Sequence, residues 1–224
     1  MGKSAFAASL GLACLLGTAT IALAENPGSE DPNNWPQYNR TTNAWRYSPL
    51  DQINKDNVGK LSVAWIAHGG DITMGIQETP LVINGVVYSI TSGNRVAALD
   101  AKTGQEIWSY QPKLDPLTKK VLFSPYSRGV AVGDGKVYIG TVDGRGIALD
   151  QKTGKEVWQV QLTDFPNCHG CNFTSPPVVA GDMLTFGSTA GEIGDTRENL
   201  RCRGQDRQEG LGVQHHQGRP EELA

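Results

Sequence analysis

The sequence predicts an all-β chain, and three observations carry that prediction. Residues 62–190 are rich in aromatic, β-branched and glycine residues. The same stretch is punctuated by Gly-Asp, Asn-Gly and Asp-Gly pairs of the kind that build tight turns. An eleven-residue string also recurs: "ALDAKTGQEIW" at 98–108 returns as "ALDQKTGKEVW" at 148–158 with eight identities. That identity separates a true repeat from two unrelated hairpins that share a turn.

Each copy closes a larger unit. The first runs "TPLVING", "VVYSIT", "RVAALDAKTGQEIWSY"; the second runs "RGVAVGDG", "KVYIGT", "GRGIALDQKTGKEVWQV". Both read as three or four short strands. Asn84-Gly85, Gly133-Asp134-Gly135 and Asp143-Gly144 supply the positive-φ residues that tight hairpins need. Thr-Gly at 103–104 and 153–154 turns the chain into a last strand ending at Trp108 or Trp158. An all-strand period of about fifty residues points to a β-propeller with one blade per repeat, since a single blade cannot bury its own faces. The tryptophan is expected to fill the seam between neighbouring blades. With about three such units in the chain, the expected fold is an incomplete propeller over residues 25–193.

The flanks differ from this body. Residues 1–24 carry a lysine near the start, a short apolar run and the small-x-small site Ala22-Leu23-Ala24, which reads as a secretory signal peptide cut after Ala24. A retained membrane anchor fits less well because no charged stop-transfer flank follows, and lipidation at Cys14 is disfavoured by Gly11. An exported chain meets an oxidising compartment. The net charge of −3 gives no basic excess to suggest nucleic acid.

A third unit starts on schedule with "SPPVVAGDMLTFGSTAGE", yet its "ALDxKTGxxxW" never arrives. Residues 194–224 contain five arginines, no lysine and no aromatic residue, whereas the body before them has twice as many lysines as arginines. Permitted codons for Glu198 to Gln214, read from the second base of each, spell "KIYAVEAKTGKKVWEF", which contains the missing repeat. The expectation is that the chain leaves its reading frame between about Gly191 and Arg197 and that residues 194–224 form an out-of-frame, disordered tail. A natural arginine-rich tail is the competing reading.

The string "NNWPQYNRTTNAWRYSPLDQINKDNVGKLSVAW", followed by "GIQETPLVINGVVYSIT" and the two repeat units, resembles the N-terminal part of the periplasmic quinoprotein alcohol dehydrogenases over Trp35 to Glu192. The resemblance implies an eight-bladed propeller with pyrroloquinoline quinone (PQQ) and a calcium or lanthanide ion on its axis. PQQ is a planar tricarboxylate, so its site needs cationic or neutral donors, and the metal needs hard oxygen ligands. By that resemblance Glu78 in "QETPLV" is a cofactor contact, with a solvated strand-end carboxylate as its alternative. Arg128 in "YSRGVAV" meets the quinone oxygens or a cofactor carboxylate, a task suited to a planar guanidinium. Thr174 in "FTSPPVV" is a hydroxyl donor, Thr189, Ala190 and Gly191 pass close to the ring system, and Glu192 is a metal ligand.

Departures from the family pattern also matter. Many relatives carry adjacent cysteines just before the arginine, and this chain has "FSPYSR" instead. It carries "NCHGCN", whose spacing is neither a haem attachment site nor, without a second ligand pair, a zinc site. A local disulfide between Cys168 and Cys171 is the expected use. The resemblance implies alcohol oxidation by hydride transfer, with electrons passed to a cytochrome or quinone-linked acceptor. The family's aspartate base belongs to later blades, so no catalytic residue is assigned here, and the chain as written is expected to be inactive alone. A cofactor-free propeller scaffold of the cell envelope is the competing class. Glu78, Arg128 and the 189–192 stretch argue against it.

Overall fold

The computed structural model describes residues 31–70, 75–121, 126–165, 171–181, 183–189, 199–203 and 214–216. Three four-stranded antiparallel sheets account for all the named strands. The first consists of β1 (Leu81–Ile83), β2 (Val86–Ile90), β3 (Val96–Asp100) and β4 (Glu106–Tyr110), paired in chain order. The second repeats this with β5 (Ala131–Gly133), β6 (Lys136–Gly140), β7 (Arg145–Asp150) and β8 (Glu156–Gln161). In the third, β9 (Val178–Ala180) and β10 (Met183–Gly187) are joined by β11 (Asn199–Arg203) and β12 (Gln214–His216). These are blades of an incomplete β-propeller, as the repeat predicts.

The turns form where their residues require. Asn84 and Gly85 both have positive φ (50° and 77°), as do Asp134 and Gly135 (48° and 69°), so the first hairpin of each of the first two blades closes through two left-handed residues whose twist matches that of the strands. The repeat string folds identically twice. Asp100 Oδ1 accepts bonds from Lys102 N, Thr103 N and Thr103 Oγ1 at 3.0, 2.7 and 2.8 Å. Asp150 does the same for Lys152 N, Thr153 N and Thr153 Oγ1 at 3.1, 2.8 and 2.7 Å. These bonds hold both carboxyls below the ordinary aspartate range, the Thr103 and Thr153 hydroxyls first.

Side-chain alternation along each strand builds two cores at once. Val137, Ile139, Ile147 and Leu149 of the middle blade pack with Leu81, Tyr88, Ile90, Val96 and Trp108 of the first. Tyr138 and Ala148, one residue out of phase, pack instead with Phe173, Leu184 and Phe186 of the third. Strands β5 to β7 of the middle blade are therefore buried on both faces, while β8 stays more exposed.

The tryptophans interlock the blades. Trp108 is 8% exposed, donates from Nε1 to Gln151 O at 3.1 Å, and lies so close over Gly154 that a Cβ there would stand 2.5 Å from the ring. Trp65 repeats the arrangement one blade earlier, donating to Ala101 O at 3.1 Å over Gly104. Both glycines also have positive φ, so two constraints demand glycine at each.

The segment expected as a disordered tail contributes β11 and β12. The register sets Leu184 opposite Cys202 and Met183 opposite Arg203, the positions held by Leu99 and Asp100 in the first blade and by Leu149 and Asp150 in the second. Ladder bonds are made by the main chain, so this placement needs no particular side chains. The segment expected as a signal peptide lies outside the described residues. Among those residues, no helix is long and apolar enough to cross a membrane.

Candidate functional site

Each blade begins at an edge strand, and the residues before β1, β5 and β9 are joined by backbone hydrogen bonds. Thr79 N donates to Arg128 O at 3.2 Å, and Arg128 N donates to Thr174 O at 2.8 Å. One short backbone ladder thus links three blades whose entry points lie far apart in sequence. Gly129 makes it possible. Its φ of 149° is a conformation for glycine, and a Cβ would stand 3.4 Å from Thr79 O.

This ladder brings Arg128 and Thr174 side chains together. Arg128 Nη1 donates to Thr174 Oγ1 at 2.6 Å. Thr174 is 5% exposed, while Arg128 is exposed. The threonine oxygen serves as acceptor in this bond, and its hydroxyl can also donate.

Glu78 sits beside Thr79 at the same end. Its Oε1 accepts from Ser89 Oγ and its Oε2 from Ile90 N, each at 2.5 Å. Both oxygens are thereby fixed by β2. Burial nevertheless raises the Glu78 pKa above its usual 4.5, with the bonds from Ile90 and Ser89 opposing. A raised folded-state pKa favours folding below the unfolded value, and the benefit is lost as pH climbs through the folded value. Urea melts of Glu78→Gln and the unaltered chain are therefore expected to diverge upward from about pH 4.5, with the unaltered chain losing ground. Parallel pH profiles would contradict a half-buried, ionising Glu78.

Thr189 follows β10 and is tied to the residue two before Thr174. Its backbone N donates to Asn172 O at 3.0 Å, and its hydroxyl bonds to Asn172 O and Oδ1. Ala190, Gly191, Glu192 and Cys168 lie outside the described residues. Cys171 is disulfide-bonded. Among the described residues no group of three or more His, Cys, Asp or Glu side chains could hold a metal ion.

Of the residues expected at the site, Arg128 and Thr174 are bonded to each other, Glu78 adjoins their ladder through Thr79, and Thr189 bonds to Asn172, two residues before Thr174. Sequence reasoning missed their supports: Ser89 and the Ile90 amide behind Glu78, Gly129 under the ladder, and Asn172 beside Thr189. Ser89 carries no signal, since its role depends on strand pairing. Sequence reasoning also missed Trp65, which lies in no strand and has no repeat string before it.

Repeated four-stranded antiparallel blades joined through the residues that precede their first strands define a β-propeller. The chain belongs to the PQQ family described as "Glucose/ethanol/alcohol dehydrogenase, beta-propeller domain", which it matches over residues 35–210. The dehydrogenase subunit of the quinone alcohol dehydrogenase of Gluconobacter oxydans is 45% identical over 133 residues, covering 59% of this chain and 17% of that protein. The quinoprotein ethanol dehydrogenase of Pseudomonas aeruginosa is 36% identical over 201 residues, 83% of this chain and 32% of that one. Among solved structures, a europium-containing methanol dehydrogenase superposes with a TM-score of 0.74 at 30% identity, covering 87% of this chain and 34% of that one. The quinohemoprotein alcohol dehydrogenase of Comamonas testosteroni gives 0.71 at 36%, covering 80% and 26%. The chain spans about a third or less of the length of these relatives.

Proposed function

We propose that these blades are the N-terminal part of a periplasmic PQQ-dependent alcohol dehydrogenase that oxidises alcohols to aldehydes. The observation that carries the reading is the axial ladder, which gathers Glu78, Arg128 and Thr174 from the entry strands of successive blades. This donor set fits PQQ. The exposed Arg128 fork matches a carboxylate or a quinone oxygen, the Thr174 hydroxyl adds a neutral donor, and Glu78 is held rigidly enough to accept from a ring N–H. Ala190 and Gly191 would pass along the ring system with Thr189. Glu192 would be an oxygen ligand to a calcium or lanthanide ion, and the similarity to a europium-containing dehydrogenase supports a metal of that kind.

When bound, PQQ supplies the two-electron acceptor for the alcohol. The chain's own residues bind and orient it: Arg128 offsets its negative charge, Thr174 fixes one edge, and the Glu78 carboxylate fixes another. The proton acceptor for the alcohol and the remaining metal ligands would come from later blades. Quinohemoproteins among the relatives support a cytochrome as electron acceptor. The N-terminal signal supports export to the periplasm, and the inferred Cys168–Cys171 disulfide suits that compartment.

The register of β11 supports the reading-frame proposal. The alternative frame places the letters IYAVE on residues 199–203, where the first two blades have VAALD and GIALD. It also places glycine at position 207, the counterpart of Gly104 and Gly154, where this chain has Arg207. The coding DNA across codons 185 to 224 and beyond is expected to carry this frame, followed by further blades. DNA with no such frame would make the tail genuine and remove most support for an active enzyme.

In the protein read on through that frame, titration with PQQ and calcium is expected to show quinone absorbance that co-elutes with the protein. Arg128→Ala should weaken uptake roughly 10- to 100-fold, the worth of a charge-assisted hydrogen bond. No uptake by the unaltered protein would favour a cofactor-free scaffold and end the dehydrogenase reading.

A further inference from the structure

Glu78 and Arg128 hold equivalent places in successive blades, each three residues before the first strand of its sheet, β1 or β5. They carry opposite charges. The bond from Thr79 N to Arg128 O at 3.2 Å sets the two chain segments side by side, so an ion pair between the side chains would be the simple outcome. Both side chains bond elsewhere instead. Arg128 is exposed, and its Nη1 donates to Thr174 Oγ1 of the following blade at 2.6 Å. The Glu78 carboxylate turns back onto its own blade, where Oε1 accepts from the Ser89 hydroxyl and Oε2 from the Ile90 amide, both at 2.5 Å.

The local sequence explains why Glu78 turns back. Tyr88 is the last residue of β2 opposed by β1, through Leu81, and Pro80, just before β1, has no N–H with which to extend the ladder. Ser89 and Ile90 follow Tyr88, past the end of β1. Glu78 Oε2 supplies the Ile90 amide with the acceptor that β1 does not offer. Ser89 then fixes the other oxygen. A carboxylate has lone pairs enough for these two donors and for a ligand besides, but with both oxygens engaged it is held away from the neighbouring guanidinium.

We propose that Ser89 is a positioning residue that latches Glu78 to β2, and that this latch keeps the Arg128 guanidinium open to an anionic ligand. With Oε1 released, the carboxylate is free to rotate toward Arg128 and to fill the fork with two parallel bonds, the arrangement a ligand carboxylate needs. The inference deepens the PQQ reading and rests on it for the identity of the anion. The latch itself is built entirely from described residues.

Two readouts test this in the protein read on through the alternative frame, or in the 224-residue chain should the DNA carry no such frame. In PQQ titrations Ser89→Ala is expected to weaken uptake roughly 10-fold, the scale of one charge-assisted hydrogen bond. Ser89→Thr, which keeps a hydroxyl, should restore it. In the Glu78→Gln background Ser89→Ala should change uptake by less than about 2-fold, because a neutral amide does not compete for the guanidinium. Equal losses in both backgrounds would mean that Ser89 serves the fold rather than Glu78, and would overturn the proposal, as would no loss in either. The second readout needs no cofactor. The melting-temperature changes of Glu78→Gln and Arg128→Ala are expected to add when Ser89 is present and to depart from additivity once Ser89→Ala is introduced, since the ion pair forms only then. Additivity in both settings, or coupling with Ser89 still in place, would overturn the latch. If the unaltered protein takes up no PQQ, the dehydrogenase reading fails and the melts still decide the role of Ser89.

Discussion

Trp108→Ala is expected to cost about 3–5 kcal/mol of unfolding free energy, the range for removing a buried aromatic side chain. Trp108 is 8% exposed and packs within the core shared by the first two blades, with its ring centroid 6.2 Å from that of Tyr88. Its loss opens a cavity between blades rather than within one. Gln151 O would also lose the Nε1 donor at 3.1 Å. Small domains have only about 5–15 kcal/mol in total, so the two blades are expected to uncouple. Urea denaturation followed by tryptophan-independent circular dichroism reads this directly. Trp108→Phe should recover most of the loss, and Trp65→Ala should cost less because Trp65 is only half-buried. A loss under about 1 kcal/mol for Trp108→Ala would mean the seam is held by strand edges and not by the indole.

Asp143→Ala is expected to be comparably damaging, at about 3–5 kcal/mol, because it strands a charge in a place with little water. The Asp143 side chain is 4% exposed and pairs with Arg145 Nη2 at 2.7 Å. It also accepts from Arg145 Nε at 3.0 Å, Thr141 Oγ1 at 2.5 Å and Asp115 N at 3.0 Å. Four donors on one carboxylate tie the β6–β7 turn to the connection leaving β4. Without the carboxylate, Arg145 keeps only Gln159 Oε1 at 2.7 Å and Lys113 O at 2.9 Å. Replacing both partners, as Asp143→Leu with Arg145→Met, should recover much of the loss, since neither charge then remains buried alone. Additive losses in the double variant would show that the two residues act separately.

The repeat was legible because its letters encode local chemistry. In "ALDxKTG" the aspartate caps the turn, the threonine hydroxyl completes it and the glycine adopts a positive φ, all within one short stretch. The final tryptophan was legible as periodic and as the filler of a blade seam, but its seat was not, since Gly154 lies in the next repeat. At the site, Arg128 and Thr174 were named singly through family resemblance. Nothing in the letters says that one donates to the other. The long-range support from Ser89 and Ile90 to Glu78 was equally silent, because β2 reaches Glu78 only after the hairpin forms.

Arg40 shows the opposite limit. In "NRTTNAWRYSPL" it and Arg46 look alike. Burial alone separates them, and burial is a property of the packed turn. What the sequence determined by itself is the all-β class, the blade period and the turn positions, because hairpin geometry and alternating burial are written within a few residues, and its motifs carried the family resemblance. Tertiary structure alone decided that Arg128 meets Thr174, which tryptophan meets which glycine and which arginine is buried. Those relations join residues tens of positions apart, and only blade packing brings them into contact.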